Sequence, residues 1–205
     1  PSAELNEPGQ KQISNEAQQL AKKAMLAMAR GDLASAQRDF ETVLALAPDN
    51  AATTINLGLV AYRQKRYAAA EKRLLRAVRL QPETGLGWLI LGVVYYDQEK
   101  LDAALAALAQ AAVLEPKNAT VHQYLGVTVG KKGWLSGAED ELRKALDLDP
   151  NYAEAHFNLA VFYLQRNPPS VELARRHYQK ALDLGAAPDA DVARSLTEPK
   201  DLSLI

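Results

Sequence analysis

Residues 85–118 read GLGWLILGVVYYDQEKLDAALAALAQAAVLEPKN, and the run from Leu86 to Tyr96 carries no charge. That run is too short to cross a bilayer, which takes about 20 apolar residues. At roughly 100° per residue, Trp88, Leu91, Gly92 and Tyr95 share one helix face, while Leu86, Leu89, Val93 and Tyr96 form a second, with Ile90 and Val94 free to meet neighbouring helices. A polar break at 97–100 and a second segment rich in alanine and leucine follow, closed by Pro116. Two amphipathic segments joined by a short turn predict a helical hairpin.

The same grammar recurs along the chain. Prolines stand at 48, 82, 116 and 150, each 34 residues after the last, and each ends a run such as VRLQP or LDLDP. Ala36, Ala70, Ala104 and Ala138 keep the same step, each followed four residues on by Phe40, Leu74, Leu108 or Leu142. Small or short residues recur at Val43, Ala77, Ala111 and Ala145, and the pairs Leu57-Gly58, Leu91-Gly92 and Leu125-Gly126 repeat within the first segment of each unit. Glycine and alanine at those places let helix axes approach toward the short end of the usual 8–10 Å. Proline ends the second segment because it has no N–H to extend a helix. One hairpin cannot bury both of its faces, so successive units must stack around a shared core.

With Trp88 and Tyr95 flanking Leu91-Gly92, this pattern resembles the tetratricopeptide repeat family, whose units run W, L-G, Y, A, F, A, P. The resemblance covers five units, 17–50, 51–84, 85–118, 119–152 and 153–188, within a repeat domain spanning 14–188. It implies an all-α, right-handed superhelical solenoid of antiparallel helix hairpins. The first unit departs with Lys23-Ala24 in place of Leu-Gly. The fifth has Leu159-Ala160, then Asn167-Pro168-Pro169-Ser170, which lengthens the turn before Val171 by about two residues and displaces the closing proline to Pro188. Residues 1–13 read as a polar, flexible segment, with Ser14 or Asn15 capping the first helix. Beyond Pro188, Asp189 is placed to cap a short helix through Leu196 that lays Val192 and Leu196 on the last hairpin, and TEPKDLSLI reads as a tail.

Composition narrows the function classes. The formal net charge of -1 gives no global field for nucleic acid or an anionic membrane. Without cysteine, disulfides, thiolate metal sites and cysteine nucleophiles drop out together. The GVTVGKKG stretch, 126–133, fails as a phosphate-binding loop: its glycines are too close, Lys132 replaces the required Ser or Thr, and no strand precedes it. His122 and His156 fall at the tryptophan position of their units and read as packing residues rather than metal ligands, and His177, beside Arg175 and Arg176, reads as part of a solvated face. Carboxylates such as Glu139-Asp140-Glu141 are spread over outer faces, and no serine sits in a nucleophile elbow. The expectation is a chain that is not an enzyme and has no catalytic residue, metal or cofactor.

In proteins with this repeat the first helix of each unit lines a concave surface, and ligands meet positions two, five, nine, twelve and thirteen. Carried over by register, the candidate partner-binding residues are Ile55, Asn56, Leu59, Tyr62, Leu86, Leu89, Val93, Tyr96, Gln123, Val127, Gly130, Phe157 and Val161. Position nine is apolar in every unit (Met25, Leu59, Val93, Val127, Val161), a patch that wants a cover. Position thirteen (Ala29, Arg63, Asp97, Lys131, Gln165) supplies a polar rim, and Gly130 leaves a gap between Tyr96 and Leu164 for a bulky side chain. The carboxylate clamp of chaperone-binding relatives is disfavoured, because Asn56 fits it but Ala21, Met25, Leu86 and Ile90 do not. Asn56 and Asn158 are placed to bond a peptide backbone.

Three readings follow. The first is a scaffold whose groove takes an apolar or amphipathic segment, a peptide or helix, of another protein. The second is self-assembly, with a terminus or a second copy in the groove as a homo-oligomer. The third, an enzyme or cofactor protein, is disfavoured by the missing chemistry. Tight curvature that hides position nine without any ligand stands beside all three. On the second helix of unit two, Lys72, Arg73, Arg76 and Arg79 form a basic convex strip, a solvated face unless an acidic partner meets it. Stacking aromatics are missing there except Tyr67, so no nucleic acid is expected, and no segment spans a membrane. The alanine-rich units and the ending HYQKALDLGAAPD are similar to bacterial repeat proteins, which include secretion and envelope factors, so an exported, periplasmic or envelope location is favoured over a cytoplasmic one; the lack of cysteine and of an initial methionine permits either.

Overall fold

Each proline of the 34-residue series stops a helix two residues before itself, because the residue ahead of proline is pushed out of the helical region. In the computed structural model, which describes residues 15–197, the capping N–H groups of Ala47, Gln81, Glu115 and Asp149 bond back to the carbonyls of Val43, Ala77, Ala111 and Ala145 at 2.7–2.9 Å. The described residues form α1 (Asn15–Ala29), α2 (Leu33–Leu46), α3 (Ala51–Arg63) and α4 (Tyr67–Leu80). They continue as α5 (Gly85–Asp97), α6 (Leu101–Leu114), α7 (Ala119–Lys131), α8 (Leu135–Leu148), α9 (Ala153–Gln165), α10 (Val171–Asp183) and α11 (Ala190–Thr197). The first-helix cap at Ser14, the polar segment 1–13 and the tail from Glu198 lie outside the described residues.

Packing divides the chain into two compact units, one up to Pro82 and the other from Glu83. In unit one the hairpins α1/α2 and α3/α4 are joined by α2 against α3. Ala24, Ala36, Phe40, Leu57 and Val60 form its buried cluster. In unit two the hairpins α5/α6, α7/α8 and α9/α10 stack in order, with α6 on α7 and α8 on α9, so that α5 touches α7 and α7 touches α9. The chain runs up and down in antiparallel pairs, as the sequence pattern requires.

The turns inside the hairpins share one geometry. Gly31, Lys65, Glu99 and Gly133, each 34 residues apart, all adopt φ between 57° and 84°. Their N–H groups bond Met28, Tyr62, Tyr96 and Gly130, and the next N–H reaches one residue further back, to Ala27, Ala61, Tyr95 and Val129. This is a Schellman closure, in which the left-handed residue turns two orphan carbonyls onto donors. Glycine takes that conformation without strain, and lysine and glutamate do so at a cost. Within the hairpins, a Cβ built at Gly58, Gly92 or Gly126 would lie 2.6–2.8 Å from Cγ of Leu74, Leu108 or Leu142. The repeated Gly and Leu positions are therefore one interlocking contact.

The last hairpin closes differently. Asn167-Pro168 is cis, and the longer turn shifts the buried alanine of α10 to Ala174. No proline ends α10: the chain turns at Gly185, φ 93°, before Pro188 is reached. Asp189 accepts the N–H of Val192 at 2.9 Å and starts α11. Val192 and Leu196 are buried in a cluster with Leu159, Tyr163, Ala174 and Tyr178. The Tyr178 hydroxyl accepts from the Asp189 N–H at 2.8 Å and donates to its carbonyl at 3.0 Å, pinning the start of α11.

Candidate functional site

The odd-numbered helices carry the residues singled out by register. In unit one Ile55 is 4% exposed, and Asn56, Leu59 and Tyr62 on the same helix α3 are half-buried. In unit two Leu89 and Val93 on α5 are each 7% exposed and Val127 on α7 is 6% exposed. These three apolar residues are largely covered without any ligand, because α5, α7 and α9 lie in succession and each shields its neighbour. Tyr96, Phe157 and Val161 are half-buried, whereas Leu86, at the start of α5, is 49% exposed. The gap anticipated beside Gly130 does not exist: a Cβ there would run into the ring of Phe162, which fills the space from α9.

What is open in unit two is a cleft of about 890 Å³ beside these helices. Tyr96 and Asp97 of α5, Gln123, Tyr124 and Val127 of α7, and Glu154, Phe157 and Asn158 of α9 line it, with Asp149, Asn151 and Tyr152 from the turn before α9 and residues 184–187 after α10. Tyr124, Tyr152 and Asp149 were not among the register candidates. Tyr124 and Asn158 sit one residue beyond position five, only about 100° further round the helix, and that step was the available signal. Tyr152 and Asp149 belong to an inter-repeat turn, which no helix register covers.

The polar groups of the cleft are distinctive. Gln123 is 7% exposed and lines the cleft; its side-chain amide makes no hydrogen bond within the described residues, and its polar atoms still reach solvent. Asn158 on α9 also lines it. Tyr96 and Tyr124 meet edge to face, ring centres 6.2 Å apart. The Lys131 ammonium sits 4.4 Å from the Tyr96 ring centre and 2.6 Å from the Glu99 carboxylate.

All three tyrosine hydroxyls are held above their ordinary pKa, first by burial. At Tyr96, Lys131 works against that rise, while Glu99 and Asp97 add to it. At Tyr124 the neighbours Tyr152 and Asp97 add to it. At Tyr152 a bond to Thr120 opposes it and Glu154 and Asp149 support it. The hydroxyls therefore stay neutral and keep their protons at physiological pH.

The histidines do other work. His122 is 8% exposed, its Nε2 2.9 Å from the Pro116 carbonyl and its Nδ1 2.8 Å from Glu141. His156 repeats the first bond, Nε2 to the Pro150 carbonyl at 3.1 Å. That contact places the proton of a neutral His156 on Nε2, so its Nδ1 accepts from Nδ1–H of His177, 2.9 Å away. His177 is thus not on a solvated face. It stacks on His156 and on Tyr163, ring centres 5.1 and 5.6 Å apart, and burial, then His156 and Arg143, lower its pKa to about 4. Among the described residues no group of three or more His, Asp or Glu could hold a metal ion, and no helix is long and apolar enough to cross a membrane.

On α4 the basic strip is partly engaged within unit one. Arg73 meets Glu41 at 3.1 Å, and Arg76 donates to the Pro48 carbonyl at 2.7 Å and pairs with Asp49 at 3.6 Å. Lys72 and Arg79 are exposed.

Comparison with known families now adds to this geometry. The family described as "Tetratricopeptide repeat" matches residues 21–77, and the one described as "TPR repeat" matches 92–133 and 131–166. The chain belongs to the tetratricopeptide repeat family. No curated protein matches its sequence significantly. Among solved structures it is similar to MamA 41-end from Desulfovibrio magneticus RS-1, with 18% identity, a TM-score of 0.73, and coverage of 84% of this chain and 97% of that one. It is similar to YrrB, described as a TPR protein with an unusual peptide-binding site, at 23% identity and TM-score 0.68, covering 87% and 90%. Another MamA structure aligns at 20% identity and TM-score 0.69, covering 93% and 98%. At these identities the likeness is one of fold. Tetratricopeptide repeats are protein-interaction modules, and the chain is a helical-repeat scaffold of that kind.

Proposed function

We propose that this chain is a non-catalytic interaction scaffold whose odd-helix face binds an apolar or amphipathic segment of another protein, with the cleft of unit two as the principal site. One observation carries the reading: the cleft combines apolar ring surface from Phe157, Tyr124 and Tyr152 with the amide of Gln123, a largely covered side chain that makes no hydrogen bond within the described residues and opens to the cleft. A peptide backbone, which offers a donor and an acceptor at every residue, would pair with that amide directly. Rings that bury area with few rotatable bonds suit such recognition. The solved structure of YrrB, described by its peptide-binding site, supports the coarse reading without supplying a ligand.

In this reading Leu89, Val93 and Val127 form the floor, and the contact surface moves outward to Tyr96, Tyr124, Asn158 and Phe157. Phage-displayed peptides selected on the full chain should lose binding by about tenfold or more in Tyr124→Ala. Circular dichroism should show unchanged helix content. Selected peptides that bind Tyr124→Ala as well as the unaltered chain would place the site elsewhere.

A further inference from the structure

The charge around the cleft is one-sided. Asp97, Asp149 and Glu154 line it, and no lysine or arginine does. Asp149 and Glu154 have no salt bridge among the described residues. Lys131, which sits against the lining residue Tyr96, is spent on that ring face and on Glu99. It also shows that a tyrosine of this wall takes a cation on its ring. Beside the carboxylates stands a second, independent feature, the Gln123 side chain, 7% exposed as a residue, lining the cleft and making no hydrogen bond within the described residues, so that its carbonyl oxygen is an acceptor open to a ligand's donor.

We propose that the segment received in this cleft is basic: an extended stretch of a partner protein whose arginine enters beside Tyr124 and Tyr152 and is met by Asp149 and Glu154. This rests on the reading of the cleft as a peptide site. A guanidinium fits better than an ammonium because its planar fork bonds carboxylates two at a time and its flat face stacks on aromatic rings. The remaining donors of the segment find the Gln123 carbonyl and the neutral tyrosine oxygens. A phosphate-bearing ligand is repelled by the same carboxylates. The basic helix of a second copy is a poorer occupant, since Arg73 and Arg76 of α4 are already bonded to Glu41, Asp49 and the Pro48 carbonyl.

The test uses the full chain and three short fluorescein-labelled peptides of leucine and serine that differ only at the centre, with arginine, citrulline or glutamate. Anisotropy titrations at low salt should show the arginine peptide binding about tenfold tighter than the citrulline one, and the glutamate peptide weakest. The advantage should shrink at about 0.5 M salt. The double variant D149N/E154Q should bring the arginine peptide to the citrulline peptide's affinity and leave the latter unchanged. If arginine and citrulline bind equally and Tyr124→Ala weakens both, the cation is wrong and the peptide cleft stands. If no peptide binds, or Tyr124→Ala changes nothing, the peptide cleft itself fails. An arginine preference that survives D149N/E154Q overturns the assignment to these carboxylates. Salt-sensitive dimers in sedimentation that vanish in the double variant would make the occupant a second copy and overturn a foreign partner.

Discussion

Lys65 and Glu99 stand where Gly31 and Gly133 stand in other repeats, in the left-handed region at φ 57° and 59°. An L-residue pays about 1–2 kcal/mol there, while glycine gives back part of that through the entropy of its unfolded chain. Lys65→Gly should therefore raise the urea midpoint slightly, by about 0.5–1 kcal/mol of stability, whereas a lower midpoint would show that its side chain contributes more than its backbone costs. Tyr163, 1% exposed, is the opposite case. Its hydroxyl donates to Glu139 at 2.8 Å and accepts from Arg143 at 3.2 Å, with Arg166 both bonded to Glu139 and 4.9 Å over the tyrosine ring. Tyr163→Phe leaves two charged groups of that network short of a partner and should cost about 1–3 kcal/mol, read as a fall in denaturation midpoint with helix content retained. No motif marks this network in the sequence, because its members come from two helices and a turn.

At the scale of elements, the last hairpin and its cap decide the behaviour of unit two's end. His177 on α10 is held near pKa 4, below the ordinary value of about 6.5. A depressed histidine takes up its proton in the unfolded chain before it does so in the folded one, so its contribution is full above about pH 6.5 and is lost as pH falls toward 4. Since the ring is only half-buried and screened by solvent, the loss should be about 1 kcal/mol rather than the full linkage value. Urea midpoints measured from pH 7 to 5 should fall more steeply for the unaltered chain than for His177→Phe; equal slopes would mean that the His156–His177 contact carries no proton linkage. Helix α11 makes a second element-scale prediction. Val192 and Leu196 are 8% and 7% exposed, and burying two such side chains contributes about 1.5–3 kcal/mol each before ordering costs. Ending the chain at Pro188 should lower stability by about 2–4 kcal/mol in a melt that follows unit two.

For the whole molecule, the repeat was legible because its physics is local. A hairpin of two amphipathic helices, a small residue against a leucine, a left-handed turn and a proline all act within 34 residues, and each leaves a mark at a set spacing. Leu57, Leu74, Leu91, Leu108, Leu142 and Leu159 are buried where periodicity placed them. The binding face was only half legible. Register selects the helix positions that point inward, so Tyr96, Gln123 and Phe157 were found. It is blind to Tyr152, Asp149 and the segment 184–187, which reach the cleft from turns. It also could not tell that Leu89, Val93 and Val127 would be covered by neighbouring helices, that Phe162 would fill the space beside Gly130, or that His177 would turn onto His156. The sequence by itself determined the helical hairpins, since these follow from spacing along the chain. Only the tertiary structure decided what stays open to a partner, because exposure depends on how side chains from different repeats fill the space between them.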